Sequence, residues 1–497
     1  MRSSALVLLL SFTLTQLVAQ DLGDRRVVLE EITIPGMPGV QSFAWAQQGN
    51  EWLLLAGRTE GLHQRQPFAA FLAAGNNTMA HVVDPTTNEV WSASISSLPT
   101  TLYEQLQCTN TEFFQRGNTL YIIGGYGFSP TANDHITHGR LAAINVPGAI
   151  AAIKNGTPLT PHFRQIDDSR MAVTGGYLGH MNDEFYLVGG QRFMGRYNPM
   201  GPDFGPGFIQ EYTNAIRRFR IEDDGSSLVL ADYTETVDTM ELHRRDYNLV
   251  PQVFPNGEFG FTAFSGVFQY SSDIPWLNTV DITASGYTVV PEFEQLLNQY
   301  HAAHLPAFAS TSNTMSTVFF GGIGRYYFDG NGQLWDDVNV PFVNTISRVE
   351  RSENGAMLET AIGTMPALLG SSAEFITAPG IPTVFNDVID LDALVGDTVL
   401  AGHIVGGIQS SAANIFFVNN GTQSSASTRV FRVLLVRDIN TGVIAPTATP
   451  NTLEVALSTN GEQLIISLDL EHAATGDLNL LDSSGRLVRK LLSARMP

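Results

Sequence analysis

Lysine and cysteine are nearly absent from this chain of 497 residues, which has only Lys154, Lys490 and Cys108. The shortage of lysine argues against a P-loop and against most Schiff-base chemistry. A single cysteine excludes an intramolecular disulfide and a cysteine-rich zinc site. Positive charge is scarce as well, because 27 Lys and Arg face 48 Asp and Glu, for a formal net charge of −21. We therefore predict no nucleic-acid partner.

Long hydrophobic runs are also missing after the N-terminus, so we predict no membrane span. The N-terminus itself is different, because Arg2 precedes an apolar run from Ala5 to Val18 and the small residue Ala19 follows. This order of charge, apolar run and small residue is typical of a signal peptide. We predict a signal peptide over residues 1–19 and a protein that is secreted or displayed at the cell surface.

Glycine and proline are plentiful, at 46 and 24 residues, which suits short strands and many turns. A run of branched and aromatic residues that ends in small residues, usually Gly-Gly, recurs six times. The copies are WLLLAG at 52–57, LYIIGG at 120–125, FYLVGG at 185–190, FTAFSG at 261–266, TVFFGG at 317–322 and HIVGG at 403–407. Each run is typical of a buried strand, and its glycines allow close backbone approach.

Each recurring run has a short strand before it, and most have a hairpin after it, so each unit is predicted to contain four antiparallel strands. Such a sheet cannot bury both faces alone, and six of them packed radially make a β-propeller. We predict an all-β fold with a six-bladed β-propeller over residues 20–440. The sixth unit lacks a clear outer strand, which we expect residues 26–35 to supply by pairing beside residues 429–438 and closing the ring.

The first unit carries the most informative motif, because its run is followed by an Asp84-Pro85 turn and by Trp91 on the returning strand. This arrangement resembles the kelch motif. Over most of its length the chain is similar to secreted kelch-type propellers of the galactose oxidase central-domain superfamily. The resemblance implies a kelch-like propeller, a fold that hosts oxidases, lyases, epimerases and pure binding scaffolds.

Residues 441–452 are rich in Pro and Thr and are predicted to be a linker. Residues 453–497 then alternate as strands around a turn at Asp482-Ser-Ser-Gly485-Arg. This segment resembles the C-terminal sorting domain of the type IX secretion machinery, which implies that machinery as a partner. We expect a small β-sandwich segment that is truncated relative to the sorting domain. An Ig-like accessory sandwich with no sorting role is the alternative.

The predicted site lies on the face that carries two sets of loops: those leading into the innermost strands (the lead-in loops) and those joining second to third strands. Loops of the second set are long and rich in Arg and aromatic residues, and long loops concentrate function. Adjacent arginines with Asp and His favour a planar anion, although a buried salt-bridge cluster is the alternative. The predicted ligand-binding residues are His243, Arg244, Arg245, Asp246, Tyr247, Tyr300, His301, His304, Arg192, Arg196, Tyr197 and Tyr326.

Cys108, Tyr300, His301 and His304 invite comparison with copper radical oxidases resembling galactose oxidase. Those enzymes carry a cysteine cross-linked to a tyrosine of the next blade, beside a Tyr-His pair and a further histidine. In this chain Thr174 stands where that tyrosine is expected. A lone cysteine on an inner strand is more often a small buried apolar residue.

The functional prediction is a secreted or surface-displayed propeller that binds a glycan or a protein through its loop-rich face. We predict no catalysis, no cofactor and no metal. The alternative is a carbohydrate-active enzyme that uses the Arg, His and Tyr cluster at the propeller mouth. A copper radical oxidase is a further alternative.

Overall fold

The computed structural model describes residues 22–437, apart from residues 202, 204, 206, 273, 330 and 331, together with four strands after residue 453. Residues Asp21–Arg437 form one compact unit. The predicted signal peptide and linker lie outside the described residues. None of the helices in the described part of the chain is long and apolar enough to cross a membrane.

Six antiparallel four-stranded sheets make up the propeller, and within blades 1–5 the strands run from the axis outward in chain order. Blade 1 contains Ala44–Gln48, Glu51–Leu55, Met79–Asp84 and Glu89–Ser94. Blade 2 contains Glu112–Arg116, Thr119–Ile123, Gly139–Asn145 and Phe163–Ala172. Blade 3 contains Thr174–Met181, Glu184–Met194, Ala215–Asp223 and Leu228–Val237. These strands fall where the recurring runs and their hairpins predict them, except in blade 2.

The other three blades follow the same plan. Blade 4 contains Asn248–Val253, Phe259–Phe264, Thr279–Thr283 and Gly286–Val290. Blade 5 contains His304–Ala309, Thr314–Ile323, Phe342–Arg351 and Met357–Thr364. Blade 6 contains Leu368–Thr377, Thr398–Ser410, Val430–Arg437 and, as its outer strand, Arg25–Ile32. The prediction of an all-β, six-bladed propeller is confirmed.

The ring closes through the N-terminal strand, as predicted. Arg25–Ile32 pairs antiparallel with Val430–Arg437 along its whole length, from Arg25 opposite Arg437 to Ile32 opposite Val430. Arg25 is buried, and its guanidinium donates to the carbonyl oxygens of Leu394 and Gly396. The first strand of the chain is therefore anchored in the last blade by side-chain bonds as well as by its sheet ladder.

Shorter strands, helices and turns lie between the main strands of the blades in chain order. The short strands are Tyr126–Ser129, Asp134–Thr137, Ile209–Tyr212, Tyr326–Phe328, Leu334–Asp336, Thr383–Phe385, Val388–Asp390 and Ser424–Ala426. The α-helices are Thr100–Gln105 and Val146–Asn155, and the 3₁₀ turns are Ala73–Gly75, Ile95–Ser97 and Thr160–His162.

Blade 2 departs from the hairpin that follows the recurring run in the other units. Its third strand, Gly139–Asn145, is followed by a helix, Val146–Asn155, and the fourth strand comes only at Phe163–Ala172. The Asn145 side chain accepts a hydrogen bond from the N–H of Gly148, a proline occupies the first turn, and Gly156 ends the helix at a φ of 65°. These are ordinary start and stop signals of a helix. The apolar run between them fills the core beside blade 1.

The small pairs that end the recurring runs have positive φ at both residues in every blade. They are Ala56–Gly57, Gly124–Gly125, Gly189–Gly190, Ser265–Gly266, Gly321–Gly322 and Gly406–Gly407. At Gly124 an added Cβ would collide with the carbonyl oxygen of Val173, and the Gly125 N–H donates to that oxygen at 2.9 Å. The predicted close backbone approach is confirmed. In blades 1, 2, 3 and 6 the second residue of the pair donates its N–H to a carbonyl oxygen in the lead-in loop of the next blade.

Gly124→Ala is expected to destabilise the propeller by roughly 1–3 kcal/mol more than Gly117→Ala. The reason is that the methyl group added at position 124, unlike the one at position 117, is forced against backbone atoms. Both glycines have positive φ, but a Cβ at Gly117 would meet nothing within 4 Å. The measurement is urea denaturation of the two variants beside the unmodified protein. Equal losses for the two variants would show that left-handed geometry alone, and not the close approach, sets the requirement for glycine.

The strands after residue 453 form two antiparallel hairpins. Glu454–Asn460 pairs with Gln463–Asp469, and Ala474–Leu481 pairs with Leu487–Met496. The alternating strands expected for this segment are therefore present. The Asp482–Arg486 turn, which carries the resemblance to a sorting domain, lies outside the described residues.

Candidate functional site

Each innermost strand has a residue with positive φ shortly before it or within its first half. The six are Ser42, Asn110, Gly175, Asp246, His301 and Ser372, with φ between 43° and 70°; we call them the axial ring. Five of them donate their N–H to the carbonyl oxygen of the ring residue in the preceding blade, for example Asp246 to Gly175 at 2.8 Å and Ser372 to His301 at 2.7 Å. The bonds offset the unfavourable backbone conformation and draw the six lead-in loops together at the axis.

Side chains also meet across the ring. The Asn110 amide of blade 2 donates to Asp246 Oδ1 of blade 4 at 3.2 Å. Gly175 of blade 3 lies between them, and a Cβ there would come within 3.0 Å of the same carboxylate oxygen. The second oxygen, Oδ2, accepts from Arg245 Nη1 at 2.7 Å, and Arg245 Nε donates to the Tyr212 hydroxyl at 2.8 Å. Two of the predicted site residues, Arg245 and Asp246, thus form a fixed ion pair at the axis.

Aromatic side chains surround this ion pair. Burial raises the pKa of Tyr197 and Tyr300 and lowers that of His63 to about 4, so all three are uncharged at neutral pH. Each lies close enough to Arg245 and Asp246 for both charges to act on its pKa. The ion pair is only partly covered, because the side chains of Arg245 and Asp246 are 19% and 21% exposed. We call His63, Tyr197, Tyr212, Arg245, Asp246 and Tyr300 the mouth cluster.

Arg244 and Tyr247 have a different role, although they flank the ion pair in sequence. Arg244 is 2% exposed and donates to the carbonyl oxygens of Glu241, Ser265 and Asn278 at 2.8, 2.8 and 3.0 Å. Burial lowers its pKa to about 10, which still leaves it charged at neutral pH. The Tyr247 hydroxyl donates to the Val188 carbonyl oxygen at 2.8 Å from a fully buried position. Both side chains hold blade 4 together or tie it to blade 3.

The remaining predicted residues of the loop-rich face lie farther from the ion pair. His243 stacks on Tyr212 at 3.7 Å between ring centroids and supports the mouth cluster from behind. Arg192 forms an exposed ion pair with Glu211 at 2.8 Å. Arg196, four residues farther along the chain, is half-buried. Burial of His135 and the charge of Arg196 both lower the pKa of that imidazole. Tyr326 lies in a short hairpin, where the Arg325 guanidinium contacts its ring at 5.3 Å.

The side chains of His301 and His304 are directed away from the mouth cluster. They line a cavity of about 560 Å³ between the innermost strands. His301 Nε2 is 3.7 Å from Glu374 Oε1. His304 Nδ1 lies 3.0 Å from the Ala302 carbonyl oxygen, and burial lowers the pKa of this imidazole. The Tyr177 ring lies beside both histidines, at 6.0 and 6.4 Å between centroids. We call this space the axial cavity.

A hairpin at residues 383–390 lies under the axial cavity at the end away from the axial ring. It leaves blade 6 and pairs in parallel with blade 5, with Ala307 opposite Ile389. Phe385 stacks on Phe259 of blade 4 at 4.9 Å. The Asn386 amide donates to the His180 carbonyl oxygen of blade 3 at 3.1 Å. The hairpin therefore packs on blades 3, 4 and 5, and its Asn386 and Asp387 line the cavity.

Glu112 is the cavity residue that the sequence analysis missed. It is 2% exposed at the first position of the innermost strand of blade 2, and its Oε1 accepts from the Gly176 N–H at 2.8 Å. Burial raises its pKa to about 8. The sequence did contain a signal, because Glu112 directly precedes Phe113 and Phe114. An acidic residue at the start of a buried inner strand is unusual, since such strands ordinarily carry apolar side chains.

Cys108 and the histidines do not form a joint site. The Cys108 thiol donates to the Glu104 carbonyl oxygen at 3.2 Å and packs beneath Gly125 and Gly127. Burial raises the pKa of this thiol far above its ordinary value. Within the described ranges, no group of three or more His, Cys, Asp or Glu side chains is placed to hold a metal ion.

Comparisons with protein-family models and with curated proteins find no match for this chain. The solved structure of YjhT is similar to it with a TM-score of 0.44 and 11% sequence identity, over 82% of this chain and 99% of that one. The six-bladed propeller is established by this chain's own strand pairing.

Proposed function

We propose that the protein is a ligand-binding propeller that takes a glycan at the mouth cluster and catalyses no reaction. The observation that supports this is the partly exposed Arg245–Asp246 ion pair. Its guanidinium contacts the rings of Tyr212 and Phe268, and its charges act on the side chains of Tyr197, Tyr300 and His63. A guanidinium and a carboxylate held side by side offer donors and acceptors to vicinal hydroxyl groups or to an acidic sugar. Aromatic rings supply the apolar faces on which a sugar ring packs.

The long loops support the same proposal by enclosing the cluster. His63, from the blade 1 loop, stacks on Phe71 at 4.6 Å and meets Tyr197 of the blade 3 loop at 4.8 Å. Phe416 of the blade 6 loop lies 6.0 Å from the same imidazole. Loops from three blades thus pack on one another beside the axis. A rigid aromatic wall of this kind lowers the entropic cost of binding.

We also propose that the chain is a kelch-type propeller that is exported through the signal peptide at residues 1–19. The Gly-Gly runs and the Asp84–Trp91 hairpin support the kelch assignment. The type IX secretion machinery is the proposed partner of residues 453–497, after a linker at 441–452. The turn motif at residues 482–486 and the paired strands on either side of it support that assignment.

The test is a glycan array probed with the unmodified protein, with Arg245→Ala and with Arg192→Ala. Arg245→Ala is expected to reduce binding to the captured glycans about tenfold or more, because it removes the only cation that contacts Asp246 in the described structure. Arg192→Ala is the matched control, since Arg192 lies on the same face in an exposed ion pair, and it is expected to bind as the unmodified protein does. Capture of no glycan, or equal binding by both variants, would contradict the proposal.

A further inference from the structure

Glu112 lines the axial cavity and carries a buried carboxyl oxygen without a hydrogen-bond partner among the described residues. Oε1 accepts from the Gly176 N–H, but Oε2 is buried without a hydrogen-bond partner among the described residues. An unpaired buried carboxylate oxygen costs free energy, which a proton or a cationic ligand would offset. Because Glu112 lines the cavity, a ligand within it lies beside this carboxyl group.

The side chains around the axial cavity include more carboxyl groups than guanidinium or ammonium groups. Glu112, Glu374 and Asp387 line it, whereas Arg116 is its only lysine or arginine among the described residues. The Arg116 guanidinium is directed between blades 2 and 3, where it donates to the Ile221 carbonyl oxygen at 2.9 Å and contacts the Phe185 ring. A cation entering the cavity would therefore meet carboxyl groups without a facing guanidinium.

Two of the three imidazoles in the cavity do not alter this balance. Burial lowers the pKa of His180 and of His304, so both are neutral at neutral pH. The third, His301, lies beside Glu374. His180 and His304 therefore place no positive charge in the cavity that would repel a cationic ligand.

Aromatic rings complete the lining of the axial cavity. They belong to Trp45, Phe113, Phe114, Tyr177, Phe261 and Phe375. The faces of such rings attract organic cations, and carboxyl groups placed among them add charge complementarity. A hydrated metal ion would instead need several converging oxygen ligands. The cavity's volume of about 560 Å³ is in the range for a small molecule.

We propose that the axial cavity is a second binding site, distinct from the mouth cluster, which takes a small organic cation with Glu112 as its anchoring carboxylate. The cation would be a primary amine or a quaternary ammonium group. Its charge lies against Glu112 Oε2, and its alkyl groups pack on the surrounding rings. The site does not depend on the proposed glycan site, because no residue of the mouth cluster is needed to line it.

Binding of the cation also requires Glu112 to lose its proton. With a pKa of about 8, Glu112 is largely protonated at neutral pH in the empty cavity. The charged groups that act on it are Asp246, which favours the protonated form, and Arg217, which favours the ionised form; the Tyr247 phenol lies near as well. A bound cation adds a positive charge at Oε2, so binding near neutral pH is expected to release up to one proton.

The test is titration calorimetry of the full chain with two matched pairs of probes. Choline is compared with its neutral isostere 3,3-dimethylbutan-1-ol, and butylamine with butan-1-ol. Each cation is expected to bind about tenfold or more tightly than its neutral partner. Repeating the titration in two non-amine buffers of different ionisation enthalpy measures the released proton. The proposal is overturned if neither cation binds at millimolar concentration, or if cations and neutral probes bind alike.

Two variants locate the binding. Glu112→Gln keeps the shape and the acceptor for Gly176 and is expected to lose about tenfold or more in cation affinity, with the neutral probes unchanged. Glu30→Gln is the matched control, because Glu30 lies in an exposed ion pair on the outer strand of blade 6, and it is expected to bind both cations as the unmodified protein does. Cation binding that survives in Glu112→Gln, or that is lost in Glu30→Gln, contradicts the assignment to the axial cavity. If Glu112→Gln does not fold, proton release by the unmodified protein decides, because its absence contradicts a role for Glu112.

Discussion

A protein that lacks residues 21–35 is expected to be insoluble, or to unfold at a much lower temperature than the full chain. The deletion removes the outer strand of blade 6 and leaves Val430–Arg437 with an unpaired edge. It also removes Leu22 and Arg25, both of which are almost fully buried. An exposed edge strand beside an uncovered core favours aggregation.

The control for this deletion is Glu30→Ala, which keeps the strand and removes only an exposed ion pair with Arg432 at 3.1 Å. Exposed pairs contribute about 1 kcal/mol or less, so this variant is expected to remain soluble and close to the unmodified stability. The measurements are soluble yield, size-exclusion chromatography and thermal unfolding. A soluble, monomeric deletion protein with unchanged melting would show that the propeller does not need its N-terminal strand.

Arg244→Ala is expected to destabilise the protein by about 3–5 kcal/mol, the cost typical of breaking a buried charged network. Its guanidinium bonds to three backbone carbonyl oxygens and to the Asn278 amide oxygen, and it lies 4.6 Å from the centroid of the Trp276 ring. Alanine leaves those acceptors without their donor in a site that water does not easily reach. The measurement is urea denaturation with a fitted free energy of unfolding.

The neighbouring substitution, Arg245→Ala, provides the contrast. Arg245 is partly exposed, and its charged partner Asp246 keeps the hydrogen bond from Asn110 when the guanidinium is gone. We expect a stability loss of about 1 kcal/mol or less, together with the loss of glycan binding. If instead Arg245→Ala were as unstable as Arg244→Ala, the ion pair would be a structural element and the proposed binding site would lose its support.

The sequence predicted the propeller well because its signals repeat. The six runs that end in Gly or Gly-Gly place the second strands, since only a small residue tolerates the backbone contact that Gly124 makes with Val173. The orphan N-terminal strand and the missing outer strand of the sixth unit together predicted the closure. Blade 2 was harder, because the apolar run after Asn145 fits both a strand and a helix. Its helix is marked only by the cap at Asn145, a proline and Gly156.

The candidate site was predicted only in part, and the reason is geometric. Arg244 and Arg245 are adjacent in an extended loop, so their side chains point in opposite directions, one into blade 4 and one towards the mouth. The spacing of the two arginines in the sequence does not tell which of them is directed towards the mouth. The axial cavity was not predicted, because its lining comes from all six blades and from a hairpin near Asn386 that packs against blades to which it does not belong.

Closure by Arg25–Ile32 has a consequence for the order of events during synthesis. The ribosome delivers this strand first and its partner, Val430–Arg437, only after all the other propeller strands have emerged. Until then the last sheet cannot be completed, and the early strand stays available for wrong pairings. Contacts between sequence-distant segments form slowly. A nascent chain of this design therefore gains from any factor that keeps it extended until synthesis ends, and a chain interrupted within blade 6 has no closed state to reach.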